Sequence, residues 1–530
     1  MSDKTTDKGQ MARSAGMVGL FTLLSRVLGL VRDAVVAASF AKRATDAFFV
    51  AFTIPNVLRR LLAEGSLTVA FIPVFTEYRE KKGEGEASAM LSNMLGATLT
   101  VLLLVVGLGV AGAPWVVQAF ASGLAAEPAK FELAVLLTRV MFFFLLAVGI
   151  TALAMGVLNT LRHFTAPALA PVVLNIFIIS TVLGAAGYMH HLGLPPVAAL
   201  AFGVVLGGFA QVLMQVPVLA KNGMMVWPRF GFTDPGVLRV GKLMLPSVFG
   251  LAIYEVNVIL ARQFASYLPE GSISYLYYAA RLVEFPMGIF AVAMATVAMP
   301  SLSSHASAGE IDKVKETYRY ALRVVFFIIL PASVGLAALA VPLTSVLFQR
   351  GQFSHAMAVE TAVTLLGFLG GLWAGAGVRQ TVPVFYALQD TRTPVKVATV
   401  SLVVYAAAAT LLFKPLQTLG LSISVACSSV VNFTLLLVML RRKLGPLGLT
   451  RVATSAVRSG LAAACCGLGA WYTASFVDWT GGGRSVLSFV LLLGSVGVGV
   501  VIYLALCKAL RVRELDDVLQ AFLRRRGKKS

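Results

Sequence analysis

Apolar stretches long enough to cross a lipid bilayer follow one another along almost the whole chain. They fall at residues 17–40, 46–75, 88–113, 132–158, 168–188, 196–220, 238–263, 273–302, 320–342, 359–388, 395–413, 419–440, 453–476 and 485–508. A hydrocarbon core needs roughly 20 apolar helical residues to span it, and backbone polar groups in lipid must be satisfied within the segment. The pattern therefore predicts an all-α polytopic membrane protein with about 14 transmembrane helices. The connections are short, so no soluble domain of enzyme size fits between spans, and catalysis in water is not expected.

Two of these spans carry charges where lipid-facing helices have none. Arg26, Arg32 and Asp33 lie in the first, and Arg59, Arg60 and Glu64 in the second, after a Pro55 that is expected to kink the helix. A charge at the bilayer centre costs roughly 2.5–3.5 kcal/mol on insertion scales, so such residues should face a bundle interior or a water-filled cavity. Arg60 and Glu64 are four residues apart, and Arg281 and Glu284 in the eighth span are three apart, so each acid should hold its arginine across one helical turn. The arginines outnumber these acids. A planar guanidinium left over in a cavity suits phosphate or carboxylate, which points to an anionic cargo. Arg379, in the tenth span, either joins this set or snorkels to an interface.

The chain also repeats itself. Val69-Ala70-Phe71-Ile72-Pro73 resembles Thr296-Val297-Ala298-Met299-Pro300, and Pro300 lies 227 positions after Pro73. Leu161 to Ala166-Pro167 resembles Leu388 to Thr393-Pro394 at the same offset of 227. Two copies of a six-span unit are expected, and because six is even the copies run the same way through the membrane. The expected division is a cytoplasmic segment at 1–16, a first lobe at 17–225, a second at 226–445, two extra spans at 446–508 and a basic tail at 509–530.

Composition narrows the class further. With 58% hydrophobic and 13% charged residues, the chain is too apolar for a soluble protein. Its formal net charge of +20 gathers in alternate connections, such as Arg79, Lys81 and Lys82, then Arg392 and Lys396, and in the C-terminal tail. By the positive-inside rule both termini are expected to be cytoplasmic. Topology explains the charge better than nucleic-acid binding, which needs a basic patch on a soluble face. No cleavable leader is expected, because the first sixteen residues are polar and the apolar stretch behind them is full length.

Other motifs carry no chemistry. Gly236 to Lys242 fits seven positions of a phosphate-binding loop, but Leu243 stands where Ser or Thr must hold magnesium, so no nucleotide is expected. Gly107, Gly109 and Gly112 fit a dinucleotide pattern inside an apolar span, where small residues instead let helices approach closely. Cys427, Cys465, Cys466 and Cys507 lack metal-ligand spacing and read as small core residues. The five histidines are scattered, and neither a metal nor a cofactor is expected.

The stretch Ser25-Arg26-Val-Leu-Gly29-Leu-Val-Arg32-Asp33, with Thr45-Asp46 and Pro55-Asn56-Val-Leu-Arg59-Arg60 to Glu64-Gly65, resembles the MurJ (MviN) family. So do Tyr277-Tyr278-Ala-Ala-Arg281-Leu-Val-Glu284-Phe-Pro286, Leu347 to Phe353 and Gln389-Asp390-Thr-Arg-Thr-Pro394, so the likeness runs along nearly the whole chain. These are bacterial lipid II flippases of the multidrug/oligosaccharidyl-lipid/polysaccharide exporter superfamily. The resemblance implies two six-helix lobes in a V around a cavity with essential arginines, and a hydrophobic groove formed with the two extra helices. Carried over by position, Arg26, Arg32, Arg59 and Arg281 would bind the cargo, with Asp33, Asp46, Arg60, Glu64 and Glu284 as supporting charges. Many members have an acid before the eighth-span arginine, whereas this chain has Ala280. The implied cargo is lipid II, the implied place the inner membrane, and the implied partners are membrane lipids and other cell-wall synthesis proteins. A cation-coupled drug exporter of the same superfamily would instead favour carboxylates in the cavity, and an enzyme acting on polyprenyl phosphates would need an acid or histidine cluster at one membrane surface.

Overall fold

The computed structural model describes residues 3–61, 67–481 and 486–517, and within them every regular element is a helix. Ten helical stretches among the described residues are long and apolar enough to cross a membrane. In chain order the helices are α1 (Asp3–Ser39), α2 (Lys42–Arg59), α3 (Thr68–Lys82), α4 (Glu84–Ala111), α5 (Ala113–Phe120), α6 (Pro128–Phe142), α7 (Phe144–Thr160), α8 (Thr165–Ala185) and α9 (Ala198–Lys221). They continue with α10 (Pro235–Ser266), α11 (Ser272–Pro286), α12 (Val292–Ser307), α13 (Ile311–Ala338), α14 (Ala340–Phe348), α15 (His355–Ala387), α16 (Arg392–Leu444), α17 (Thr450–Ala474) and α18 (Val486–Ala509).

Some expected spans are not single regular α-helices. The second is covered by α2 and α3, with 62–66 between them outside the described residues, and the eighth is α11 joined to α12 through a π-helical turn at Met287–Ala291. The eleventh and twelfth run on as α16, with one residue out of helical geometry: Gln417 at φ 49° and ψ −127°, two residues after Pro415. That break restores the two segments expected at 395–413 and 419–440, since proline removes a backbone donor and crowds the preceding turn.

The chain divides into two compact units, residues 1–273 and 274–530. In the first, α1 packs along α8, α8 on α9, α9 on α7, and α2 on α6. Helix α10, which the sequence repeat assigns to the second half, packs in this unit against α3, α4 and α5. Its start is held there by Asp234, which accepts from the backbone N–H groups of Gly236 and Val237 and from Asn93 Nδ2 at 3.0 Å. The segment that mimics a phosphate loop thus forms about the first two turns of a helix already capped by a carboxylate. The glycines of the dinucleotide-like pattern lie in and just after α4, and a Cβ on Gly109 would strike the Phe142 ring, so the small residue serves helix packing.

In the second unit α15 lies along α16, α13 packs on both α15 and α17, and α17 on α18. Phe326, Trp373 and Phe433 meet edge-to-face at centroid separations of 5.9–6.5 Å, within a core that includes Tyr318, Phe385 and Leu436. Backbones come close where Gly371 faces Ala426, since a Cβ there would meet the Ala426 backbone. The last two helices dock on α13 through Phe327, Ala462, Ala463, Cys466, Tyr503 and Cys507, and the Tyr503 hydroxyl donates to the Phe327 carbonyl. The chain then turns back so that Val512 and Leu515 join this core, with Glu514 receiving the Ser455 hydroxyl at 2.8 Å. Cys466 and Cys507 are buried as expected, but Cys427 and Cys465 are exposed, a correction to their reading as core. Cys465 and its buried neighbour Cys466 are adjacent on α17, so the helix turns one outward as it turns the other in.

The 227-residue repeat reappears as geometry. Helix α7 ends at Thr160 and α8 starts at Thr165, while α15 ends at Ala387 and α16 starts at Arg392. Both turns place a non-glycine residue in the left-handed region, Arg162 at φ 60° and Gln389 at φ 57°. His163 N donates to Leu158 O at 2.8 Å in the first turn, and Asp390 N donates to Phe385 O at 2.8 Å in the second. Each is a helix end closed by a bond back over five residues from beyond a left-handed cap. The second turn is further tied by Asp390, whose carboxylate accepts from Lys443 Nζ at 2.7 Å and from Thr393. The Lys443 ammonium, with the Thr393 N–H, holds the Asp390 carboxyl down to about 2.

Candidate binding site for an anionic headgroup

Within the first unit, the intramembrane charges fall into three groups. Arg32 is 8% exposed and its guanidinium is engaged on two sides. Nε and Nη2 donate to Asp33 Oδ1 at 3.0 and 2.7 Å, and Nη1 donates to Asn175 Oδ1 of α8 at 3.1 Å. Asn175 Nδ2 donates in turn to the carbonyl of Ser25 at 3.2 Å, so one amide staples α1 to α8 across both ends of its charged stretch. Arg26, one and two-thirds turns earlier on α1, is half-buried and makes no hydrogen bond or ion pair with the described residues.

The second group is on α2. Arg59 is half-buried, and its Nε donates to Asn56 Oδ1 at 3.1 Å, one turn back. Arg60, whose side chain is 45% exposed, meets Glu255 Oε1 of α10 at 3.4 Å. The partner expected for Arg60, Glu64, lies outside the described residues. Further along α10, Arg262 donates from Nε to Thr53 Oγ1 of α2 at 3.1 Å and from Nη1 to the Ile273 carbonyl at 3.3 Å.

The third group is a buried pair. Asp46 is 1% exposed, and its Oδ2 accepts from Lys130 Nζ at 3.1 Å and from the Gly271 backbone N–H at 2.7 Å. The resemblance implies that Asp46 accompanies the arginines; here it pairs with Lys130, which reads in the sequence as an ordinary connection charge.

In the second unit, Arg281 Nη1 meets Glu284 Oε2 at 3.1 Å, the turn-spanning pair that the three-residue spacing predicts. The two side chains are 33% and 63% exposed, and the helix widens into its π turn three residues beyond Glu284. Arg379 on α15 is exposed. The described residues contain no group of three or more His, Cys, Asp and Glu placed to hold a metal.

The expectation that the arginines outnumber their partners thus changes in detail. Arg32, Arg60 and Arg281 each have a carboxylate, Arg59 meets the Asn56 amide, and Arg26 is the site arginine with no hydrogen-bond or ion-pair partner among the described residues. Sequence reasoning missed Glu255, Lys130 and Asn175. For Glu255 a signal existed, since it is an acid inside the apolar run 238–263 and the rule that singled out Arg26 applies to it equally. For Lys130 there was none, because burial by distant helices is invisible in a short connection.

A family model described as "Lipid II flippase MurJ" matches residues 35–491. The protein named "Probable lipid II flippase MurJ" from Vibrio cholerae serotype O1 is 37% identical over 527 residues, covering 97% of this chain and 99% of that relative. "Lipid II flippase MurJ" from Burkholderia cenocepacia is 37% identical over 475 residues, 87% of this chain and 90% of that one. Among solved structures, one described as "Lipid II flippase MurJ, inward closed conformation" has a TM-score of 0.76 at 22% identity, over 94% of this chain and 99% of that chain. An inward-facing multidrug resistance MATE family transporter of the MOP superfamily has a TM-score of 0.66 at 15% identity, over 80% of this chain and 96% of that chain. At such identities the two structures speak for the fold alone, whereas the family model and the two sequence relatives reach further: the chain belongs to the lipid II flippase MurJ family.

Proposed function

We propose that this chain is a lipid II flippase, moving the undecaprenyl-pyrophosphate-linked disaccharide-pentapeptide from the cytoplasmic to the periplasmic leaflet of a bacterial inner membrane for cell-wall synthesis. Family membership over almost the full chain supports the cargo. The observation that carries the mechanism is Arg26, a half-buried guanidinium inside an apolar helix without a partner among the described residues. An unpaired cation there is costly unless a ligand supplies the counter-charge, and a pyrophosphate does so with the fork geometry that guanidinium prefers. Arg59 adds a contact to the same headgroup, and the Arg32–Asp33–Asn175 cluster holds α1 in place for Arg26. The polyprenyl tail stays in lipid or in a groove beside α17 and α18, while alternating access exposes the headgroup outside. A large polar headgroup then crosses without meeting hydrocarbon, whose desolvation cost would otherwise block it. No bond is broken. Both termini lie in the cytoplasm on this reading, because the basic connections alternate.

The test is replacement of an essential lipid II flippase by this gene, with outward-facing lipid II measured after depletion of the resident protein. Restored growth together with restored surface lipid II is the expected result. Failure of both at normal membrane abundance would contradict the assignment.

A further inference from the structure

Glu255 is 3% exposed, yet its carboxylate is poorly served. Oε1 meets Arg60 Nη1 at 3.4 Å, long beside the roughly 2.7–2.9 Å of a good charge-assisted bond. Oε2 has no hydrogen-bond partner. A buried ion pair offsets its desolvation only when geometry is good and the remaining lone pairs are satisfied, and this pair has neither advantage.

Arg60 is the reverse case. Its side chain is 45% exposed, and the contact to Glu255 engages only Nη1. It also stands where α2 gives way to a π-helical turn at residues 60–61, five positions after Pro55. Such turns recur at functional sites, and they loosen the bonds that would hold a side chain to one direction. A buried anion with spare acceptor capacity therefore faces an accessible cation with spare donors at a weak point of its helix.

We propose that Glu255 is an internal counter-ion that occupies Arg60 in the empty transporter and gives it up to the pyrophosphate of an arriving headgroup. The inference rests on the anionic-cargo reading and adds a positioning residue to it. A pyrophosphate offers Arg60 two oxygens in fork geometry where Glu255 offers one distant oxygen, so the exchange runs forward when cargo is present. The stranded Glu255 carboxylate then opposes tight binding, because a buried charge that has lost its partner is costly. Cargo is held strongly enough to enter and weakly enough to leave, and the α2–α10 contact is made or broken with each cycle.

The test uses the full-length protein in nanodiscs, with undecaprenyl pyrophosphate as the probe. Wild type, E255Q, R60A and the double variant are compared for probe affinity, and transport is measured in parallel. E255Q should bind the probe at least roughly fivefold more tightly and transport more slowly, R60A should bind more weakly, and E255Q should have no effect once Arg60 is gone. Equal affinity of E255Q and wild type, or an equal gain in the R60A background, would overturn the proposal. So would loss of the folded protein in both E255Q and E255M, which would make Glu255 purely structural. If wild type binds the probe with the predicted coupling but moves no lipid II, the cargo reading fails and the counter-ion stands. If wild type does not bind the probe at all, both fall.

Discussion

Lys130 and Asp46 form an ion pair at 3.1 Å in which neither side chain is more than 5% exposed, and the Gly271 N–H completes the shell around the same carboxylate oxygen. The pair joins the start of α6 to the start of α2 and to the turn that follows α10. Taking one member away removes an opposite charge from the other in a buried site.

Lys130→Met should accordingly destabilise the protein by roughly 3–5 kcal/mol, and Asp46→Asn by a similar amount, whereas the double variant should cost clearly less than the sum. Thermal unfolding in detergent reads all three. Additive losses would mean that the two charges do not depend on each other.

Asp390 provides a pH test outside the membrane-spanning segments. Its carboxyl is held at about 2 rather than the ordinary 3.8, chiefly by Lys443. A depressed pKa stabilises the fold at every pH above the ordinary value, and that contribution is lost as pH falls from about 4 through about 2. Asp390→Asn should remove this part of the acid dependence. At neutral pH it should cost no more than about 1 kcal/mol, because the Lys443 side chain is 40% exposed and solvent screens the pair. An unchanged acid profile in the variant would contradict the assignment.

Much of this fold can be read in the sequence because lipid imposes so few solutions. Apolar runs of bilayer length place the spans, and the 227-residue offset anticipates the matching turns at Arg162 and Gln389, although nothing about Arg or Gln announces a left-handed backbone. Pro415 is visible in the sequence, but the chain's departure from helix at Gln417 depends on local geometry. Charges were legible where spacing sets the partner, as for Arg281 and Glu284, three apart on one helix. They were illegible where the partner comes from a distant helix: Glu255 lies 195 residues from Arg60, and Asn175 lies 143 from Arg32.

Orientation is a separate expectation. Residues 79–86 and 389–396 should lie in the cytoplasm and residues 189–195 outside, as the alternation of basic connections requires. Single cysteines introduced into a version stripped of Cys427, Cys465, Cys466 and Cys507 can be labelled from outside intact cells. Labelling at 189–195 but not at the other two segments is expected, and the opposite pattern would invert the topology.

Arg32 and Arg26 should behave differently although they share one helix. Arg32→Ala takes away the guanidinium that Asp33, at 2% exposure, is paired with, so membrane abundance should fall along with function. Normal abundance of this variant would mean that Asp33 does not need its partner.

The decisive measurement is on Arg26. Outward-facing lipid II and membrane abundance are determined together in cells that depend on this chain, for wild type, Arg26→Ala and Arg26→Lys. If Arg26 binds the anionic headgroup, Arg26→Ala should be as abundant as wild type with surface lipid II near the depleted background. Arg26→Lys should recover only part of it, because an ammonium keeps the charge and loses the fork. Full surface lipid II in Arg26→Ala, or its loss only in step with abundance, would contradict binding of the cargo by the intramembrane arginine.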